Sequence, residues 1–145
     1  MEHISRPFLD RIDLCAEVGI PSYEDLREAP PGESSAMIRE RVARAAAVQQ
    51  ERYKGTNHHF NGELSGEETG RWCVLDSSGE KLLKAAYQKF SLTGRGCMRV
   101  LKVARTIADL EGSENIREEH LMEALGFRMA DLRLWGQEGG AWNGL

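Results

Sequence analysis

The stretch from Gly94 to Glu111 restricts the fold of this chain strongly, because its apolar residues recur with a helical period. At about 100° per residue, its apolar side chains cover roughly half of a helix circumference, with polar side chains grouped opposite. The apolar side consists of Val100, Val103, Ala104, Ile107, Ala108 and Leu110. Gly112 follows as a residue at which a helix readily ends. The pattern predicts a helix that buries one face in a core.

The polar side of this predicted helix is strongly basic. The helix carries four basic residues, Arg95, Arg99, Lys102 and Arg105. Its polar side consists of Arg95, Arg99, Lys102, Thr106 and Asp109. A basic stripe on a helix whose other face is buried favours contact with an anion. A solvated helix surface is the alternative interpretation, because such surfaces carry similar charges.

Further helices are predicted on both sides of this segment. The predicted helices span about 34–54, 65–73, 77–90, 94–111 and 117–126, with a short extension over 127–135. Ser34 or Ser35 caps the first helix, and capping boxes at Ser65–Glu68 and Ser77–Glu80 open the next two. The basic residues of the first helix are expected on a solvated face: Arg39, Arg41, Arg44 and Arg52. The chain is therefore expected to be all-α, a bundle of four to five helices.

The N-terminal part follows a different pattern. Ile12, Leu14, Ala16 and Val18 alternate with more polar residues, which predicts a half-buried strand. No neighbouring segment predicts a partner, and a lone strand is unstable in water. Residues 1–32 are therefore expected to comprise the end of a preceding domain and a linker over 21–32. This part should form either an orphan strand or a disordered segment, and it should be poorly ordered to about Gly32. Residues 33–135 are the predicted helical domain, and residues 136–145 a flexible, glycine-rich tail.

Composition places the chain among soluble proteins. Charged residues make up 29% and hydrophobic residues 41% of its 145 residues, and the formal net charge of −4 disfavours a protein that coats nucleic acid. No apolar run is long enough to cross a membrane, and the first residues lack the apolar core of a signal peptide. A cytoplasmic location without membrane contact is expected.

Several motifs that define active sites are absent from the sequence. It contains no GxxxxGK(S/T) phosphate loop, no HExxH and no GxSxG. Its three cysteines are widely spaced and form no CxxC pair, which is typical of reduced thiols, and no metal site is predicted. His58 and His59 are expected in a loop, and His120 is expected to pack against or cap a helix.

Four segments, in order, resemble the C-terminal region of the magnesium-chelatase-like AAA+ ATPases, in the group that includes ComM and YifB. They are SRPFLDRIDLCAEV, SSAMIRERVARAAAVQQERY, NGELSGEE and LTGRGCMRVLKVARTIADLEGSENIREEHLMEALGFR. Their order and spacing carry the resemblance over most of positions 4–135. The resemblance implies that residues 4 to about 18 end a nucleotide-binding domain and that the remainder is the helical lid of the AAA+ module.

The resemblance assigns roles to two arginines. Arg11, in the LDR segment, matches the arginine finger that such modules supply to the adjacent subunit. The family's usual SGP is Ser5-Arg6-Pro7 here, so Arg6 is an alternative finger. Arg95 matches the sensor-2 arginine, which reaches from the lid to the γ-phosphate of ATP. The other three charges of the basic stripe are expected at the lid surface or between subunits.

The resemblance also implies cofactors and partners. ATP and Mg²⁺ are bound by the full-length module, whose Walker motifs and sensor 1 would lie upstream. The 145-residue chain alone is expected neither to bind ATP tightly nor to hydrolyse it. Its expected partners are the nucleotide-binding domain of the same chain and the neighbouring subunits of a hexameric ring.

Three functions remain open at this point. The first is the lid of a motor that acts on DNA, of the competence and branch-migration type, which the segment RTIADLEGSE favours. The second is the lid of a magnesium-chelatase motor subunit in tetrapyrrole synthesis. The third is a stand-alone helical module that binds DNA through Arg39, Arg41, Arg44, Arg99 and Lys102.

Overall fold

The computed structural model of the chain describes residues 11–28, 30 and 32–135, apart from the side chains of residues 26, 28 and 129–135. Within this part every regular element is a helix, which confirms the predicted all-α class. The helices are α1 (Tyr23–Glu28), α2 (Ser35–Arg52), α3 (Gly66–Trp72), α4 (Ser77–Phe90), α5 (Gly94–Glu111) and α6 (Glu118–Trp135), with a 3₁₀ turn at Asn61–Glu63. None of these helices is both long and apolar enough to cross a membrane.

Local capping chemistry fixes both ends of α5 and the start of α2. The Ser34 hydroxyl accepts a hydrogen bond from the Met37 amide at 3.3 Å and caps α2. The Thr93 hydroxyl accepts one from the Gly96 amide at 3.0 Å and caps α5. Gly112 ends α5 with a φ of 80°, a left-handed conformation that favours glycine. The predicted bounds of α5 are confirmed.

Two helix boundaries differ from the prediction. Asp76 rather than Ser77 caps α4, because its carboxylate accepts the Gly79 amide at 2.8 Å and also faces the positive end of the helix dipole. The last helix continues to Trp135, so the predicted stop at Gly126 is wrong. A glycine inside a helix costs only about 1 kcal/mol, which the packing of α6 against α5 offsets.

The N-terminal segment also differs from the prediction. Ile12 to Val18 form no strand, because the main chain finds its partners on α6 instead: the Cys15 amide donates to the Phe127 carbonyl at 3.3 Å. The predicted linker contains α1. This helix begins at a reciprocal cap in which Ser22 and Asp25 bind each other's amides, each at 3.1 Å.

Helix α5 lies at the centre of the bundle and packs against α6, α2 and α3. Val100 and Ala104 from its predicted apolar side are buried in the same hydrophobic cluster as Leu121 of α6. Tyr53, which is 1% exposed, meets Trp72 edge to face with 5.5 Å between ring centroids. The core therefore forms around the helix whose periodicity is clearest in the sequence.

The predicted capping box at the start of α3 is present and depends on Glu68. Its carboxylate accepts the Ser65 amide at 2.8 Å and lies 2.7 Å from Nε2 of His58. Hydrogen bonds from Ser65, and next the contact with His58, lower the pKa of Glu68 from its ordinary 4.5 to about 2. His58 is therefore a loop residue that binds a helix cap.

We expect Glu68→Gln to reduce the free energy of unfolding at neutral pH. A carboxyl whose pKa is lower in the folded than in the unfolded chain stabilises the fold above pH 4.5, and this contribution disappears as the pH falls from 4.5 to about 2. The difference in urea midpoint between the variant and the native chain should therefore be larger at pH 7 than at pH 3. Exposed Glu67→Gln is the matched control. Equal differences at both pH values would contradict this account.

Candidate functional site

Arg95 lies at the N-terminal end of α5, as the second residue of the helix, and is exposed. In the described part of the chain its side chain has no hydrogen-bond or ion-pair partner. Thr93 satisfies the Gly96 amide, whereas the amides of Gly94 and Arg95 have no partner among the described residues. The positive end of the helix dipole thus coincides with a guanidinium, and both favour an anion. These groups fit a phosphate.

Two other basic residues of the stripe, Arg99 and Lys102, donate hydrogen bonds to main-chain carbonyls of neighbouring segments. The Arg99 guanidinium donates through Nη1 to the carbonyl of Arg11 at 3.0 Å and pairs with the Asp13 carboxylate. The Lys102 ammonium donates to the carbonyl of Gly62 at 3.1 Å. Both side chains therefore connect α5 to the segments beside it.

The prediction that Arg105 lies at the lid surface or between subunits is wrong, because this residue is only 4% exposed. Its Nε donates to Asp109 at 3.0 Å, and its two Nη atoms donate to the carbonyls of Ser113 and Glu114 at 2.6 and 2.9 Å. A carboxylate one turn later and two carbonyls just beyond the helix compensate the buried charge. Within the described chain, Arg95 is the one member of the four-charge stripe without a partner.

A buried polar network joins α2 to α5. The Asp109 side chain is fully buried and accepts the Arg52 guanidinium at 2.5 and 2.7 Å and the Asn61 amide group at 2.9 Å. Asn61 also accepts the Tyr53 hydroxyl at 2.7 Å. The prediction of Arg52 on a solvated face is therefore wrong. No local pattern links Arg52 to Asp109 across 57 positions, so the sequence analysis did not find this network.

Arg11 is the second arginine to which the resemblance assigns a role, and it is the first residue that the structure describes. Its side chain is exposed and has no partner among the described residues, while its carbonyl accepts Arg99. Asp13 pairs with Arg99 and not with Arg11. The Arg99 guanidinium therefore connects the main chain of Arg11 to the helix that carries Arg95 one turn earlier. The alternative finger, Arg6, lies outside the described residues.

Among residues 11–28, 30 and 32–135, the histidine and cysteine side chains give no separate chemical site. His120 is 2% exposed, accepts the Arg117 amide through Nδ1 at 3.0 Å and contacts the Glu111 carboxylate, so its predicted capping role is confirmed. Ligand atoms of His120, Glu111 and Glu119 lie within 4.8 Å of one another, but the Arg117 guanidinium pairs with both carboxylates at 2.6 and 2.9 Å and supplies their positive partner. Burial raises the pKa of the Cys73 thiol to about 11, which keeps it protonated and a poor metal ligand.

Comparison with known proteins agrees with this architecture. Residues 32–128 match the family described as magnesium chelatase, subunit ChlI C-terminal. The chain is 40% identical over 129 residues to the competence protein ComM of Haemophilus influenzae, a match that covers 88% of this chain and 25% of that protein. It is 39% identical over 132 residues to YifB of Salmonella typhimurium and 37% identical over 132 residues to YifB of Escherichia coli, and both matches cover 90% of this chain and 25% of the relative.

The chain spans about a quarter of the length of these curated relatives. The family match runs from the residues before α2 to the middle of α6, and so takes in the whole polar network and the start of α5 with Arg95. By this match the chain belongs to the magnesium chelatase ChlI C-terminal family, and it is also similar to ComM and YifB.

Proposed function

We propose that this chain is the helical lid of an AAA+ ATPase and that Arg95 is its sensor-2 residue. The observation that carries the proposal is the position of Arg95 at the start of α5, exposed and without a partner in the described chain. A guanidinium offers rigid forked donors to phosphate oxygens, and such charge-assisted hydrogen bonds are stronger than neutral ones. A contact from the lid to the γ-phosphate would link the state of the nucleotide to the lid angle.

The proposal includes the rest of the motor. ATP and Mg²⁺ bind a nucleotide-binding domain, the subunits form a ring, usually a hexamer, and Arg11 serves the ATP of the adjacent subunit as an arginine finger. The similarity to a protein named for competence supports DNA as the client of the full-length motor. A cytoplasmic location is part of the same proposal.

The test is ATP turnover by a chimaera in which this chain replaces the matching quarter of the Haemophilus relative. We expect Arg95→Ala to lower kcat roughly 10- to 100-fold, because the loss of one charge-assisted hydrogen bond costs about 1.5–3 kcal/mol in the transition state. Phosphate release measured at saturating ATP gives the rate, and circular dichroism checks that the fold is unchanged.

Arg39→Ala is the control for this test, because Arg39 is an exposed arginine on α2 without a partner among the described residues. It should leave turnover unchanged, and Arg95→Lys should restore only part of the rate. Normal turnover in Arg95→Ala would contradict the sensor role. A chimaera with no turnover at all would contradict the ATPase proposal.

The two alternative functions differ in their support. The description of the family favours a magnesium-chelatase motor subunit as the second candidate, and retention of DNA-stimulated turnover in the chimaera would count against it. The ion pairs of α2 weigh against a stand-alone DNA-binding module, since Arg41 pairs with Glu33 at 2.7 Å and Arg44 with Glu40 at 2.8 Å. A salt-dependent shift of duplex DNA by this chain alone would favour that module.

A further inference from the structure

We infer that Arg99 and Arg128 are positioning residues that clamp the segment carrying Arg11 onto α5 and α6, so that Arg11 and Arg95 move as one unit. The meaning of this movement for ATP turnover rests on the proposed function. The clamp itself rests only on contacts within this chain.

The two guanidinium groups bind consecutive carbonyls of the N-terminal segment. Arg99 donates to the Arg11 carbonyl at 3.0 Å and pairs with the Asp13 carboxylate. Arg128, which is 7% exposed, donates to the Ile12 carbonyl at 3.2 Å. Hydrogen bonds from charged donors are the stronger kind, and burial shields the second one from water. Three consecutive residues are thus attached to the lid by two side chains.

Apolar burial contributes little to the attachment of this segment. Leu14, Val18 and Ile20 are 54%, 86% and 99% exposed, although all three are large apolar residues. Leu14 alone of these three borders the cavity of about 330 Å³ beside Phe127. Ile12 and Cys15 are partly buried. Because the three large apolar side chains named above bury little surface, the polar contacts to the main chain supply much of the attachment.

Both clamp residues lie near the N-terminal end of α5, which carries Arg95. Arg99 lies one turn after Arg95, and a Cβ added at Gly96 would lie 4.0 Å from Nη2 of Arg128. The Arg128 guanidinium therefore lies beside the first turn of α5. A rotation of the lid that moves Arg95 would therefore carry Arg11 with it.

Amide hydrogen exchange of the full 145-residue chain tests the clamp. The sequence alone predicts poor order over this region, whereas the clamp predicts protection of the Cys15 amide, which donates to Phe127. We expect Arg99→Ala with Arg128→Ala to speed exchange over residues 12–18 by about tenfold or more while exchange in α4 stays unchanged. Arg128→Lys should restore part of the protection.

Asp13→Ala is a second variant that weakens the clamp without altering the bundle, and it should give a smaller increase in exchange. Arg39→Ala is the control and should give none. Equal exchange over 12–18 in the native chain and the double variant, or no protection at Cys15 in the native chain, would overturn the clamp.

Turnover by the chimaera separates positioning from simple attachment. We expect Arg99→Ala to lower kcat roughly tenfold with the KM for ATP unchanged, and to add nothing to the loss caused by Arg11→Ala. Faster exchange with unchanged turnover would overturn the positioning role. If instead Arg11→Ala itself leaves turnover unchanged, the proposed finger fails while the clamp, measured by exchange, stands.

Discussion

Asp109→Ala should remove a large part of the stability of the helical domain, about 3–5 kcal/mol of the free energy of unfolding. The Asp109 side chain is fully buried between Arg52 and Arg105, whose side chains are 15% and 5% exposed. Removal of the carboxylate leaves two guanidinium groups side by side without a counter-charge. Since small domains are stable by only about 5–15 kcal/mol, the urea midpoint followed by circular dichroism should fall sharply.

Two variants test whether the effect comes from the uncompensated charges. Glu40→Ala breaks the exposed pair with Arg44, whose side chains are 72% and 67% exposed, and should change the free energy of unfolding by less than about 1 kcal/mol. Replacing Asp109, Arg52 and Arg105 together by apolar residues should recover much of the loss, because buried ion clusters can be exchanged for packed apolar groups. A small effect of Asp109→Ala, similar to that of Glu40→Ala, would contradict the role of the network.

Arg11→Ala should lower ATP turnover by the chimaera about 10³-fold or more, within the range of 10³–10⁵ known for arginine fingers. The guanidinium would stabilise negative charge on the transferred phosphoryl group, an interaction stronger in the transition state than in the ground state. The exposed side chain of Arg11, without a partner in the described chain, is available for such a contact. Phosphate release at saturating ATP measures the effect.

Mixed rings test whether the finger acts on the adjacent subunit. Subunits with Arg11→Ala keep an intact nucleotide site, so mixing them with subunits whose nucleotide site is disabled should restore part of the turnover. Arg6→Ala identifies the alternative finger if it, rather than Arg11→Ala, abolishes turnover. A loss below about threefold in both variants would exclude either arginine as a finger of the expected strength.

Much of the fold could be predicted from local patterns. Helix α5 runs from Gly94 to Glu111 as predicted, because its caps and apolar period depend on residues within one or two turns of each other. The all-α class follows from the same kind of signal. The predicted strand over Ile12–Val18 failed because alternation describes which side chains could be buried and says nothing of which main-chain partner is present.

For the candidate site, too, some features follow from the sequence and others only from the tertiary structure. The sequence by itself determined the helices, the family resemblance and the basic stripe that contains Arg95. The tertiary structure decided which of those charges already have partners: Arg105 is buried on Asp109, and Arg99 holds the segment of Arg11. The reason is physical, since helical periodicity fixes the side of a helix on which a charge lies, whereas its partners come from residues up to 88 positions away that only the folded chain brings together.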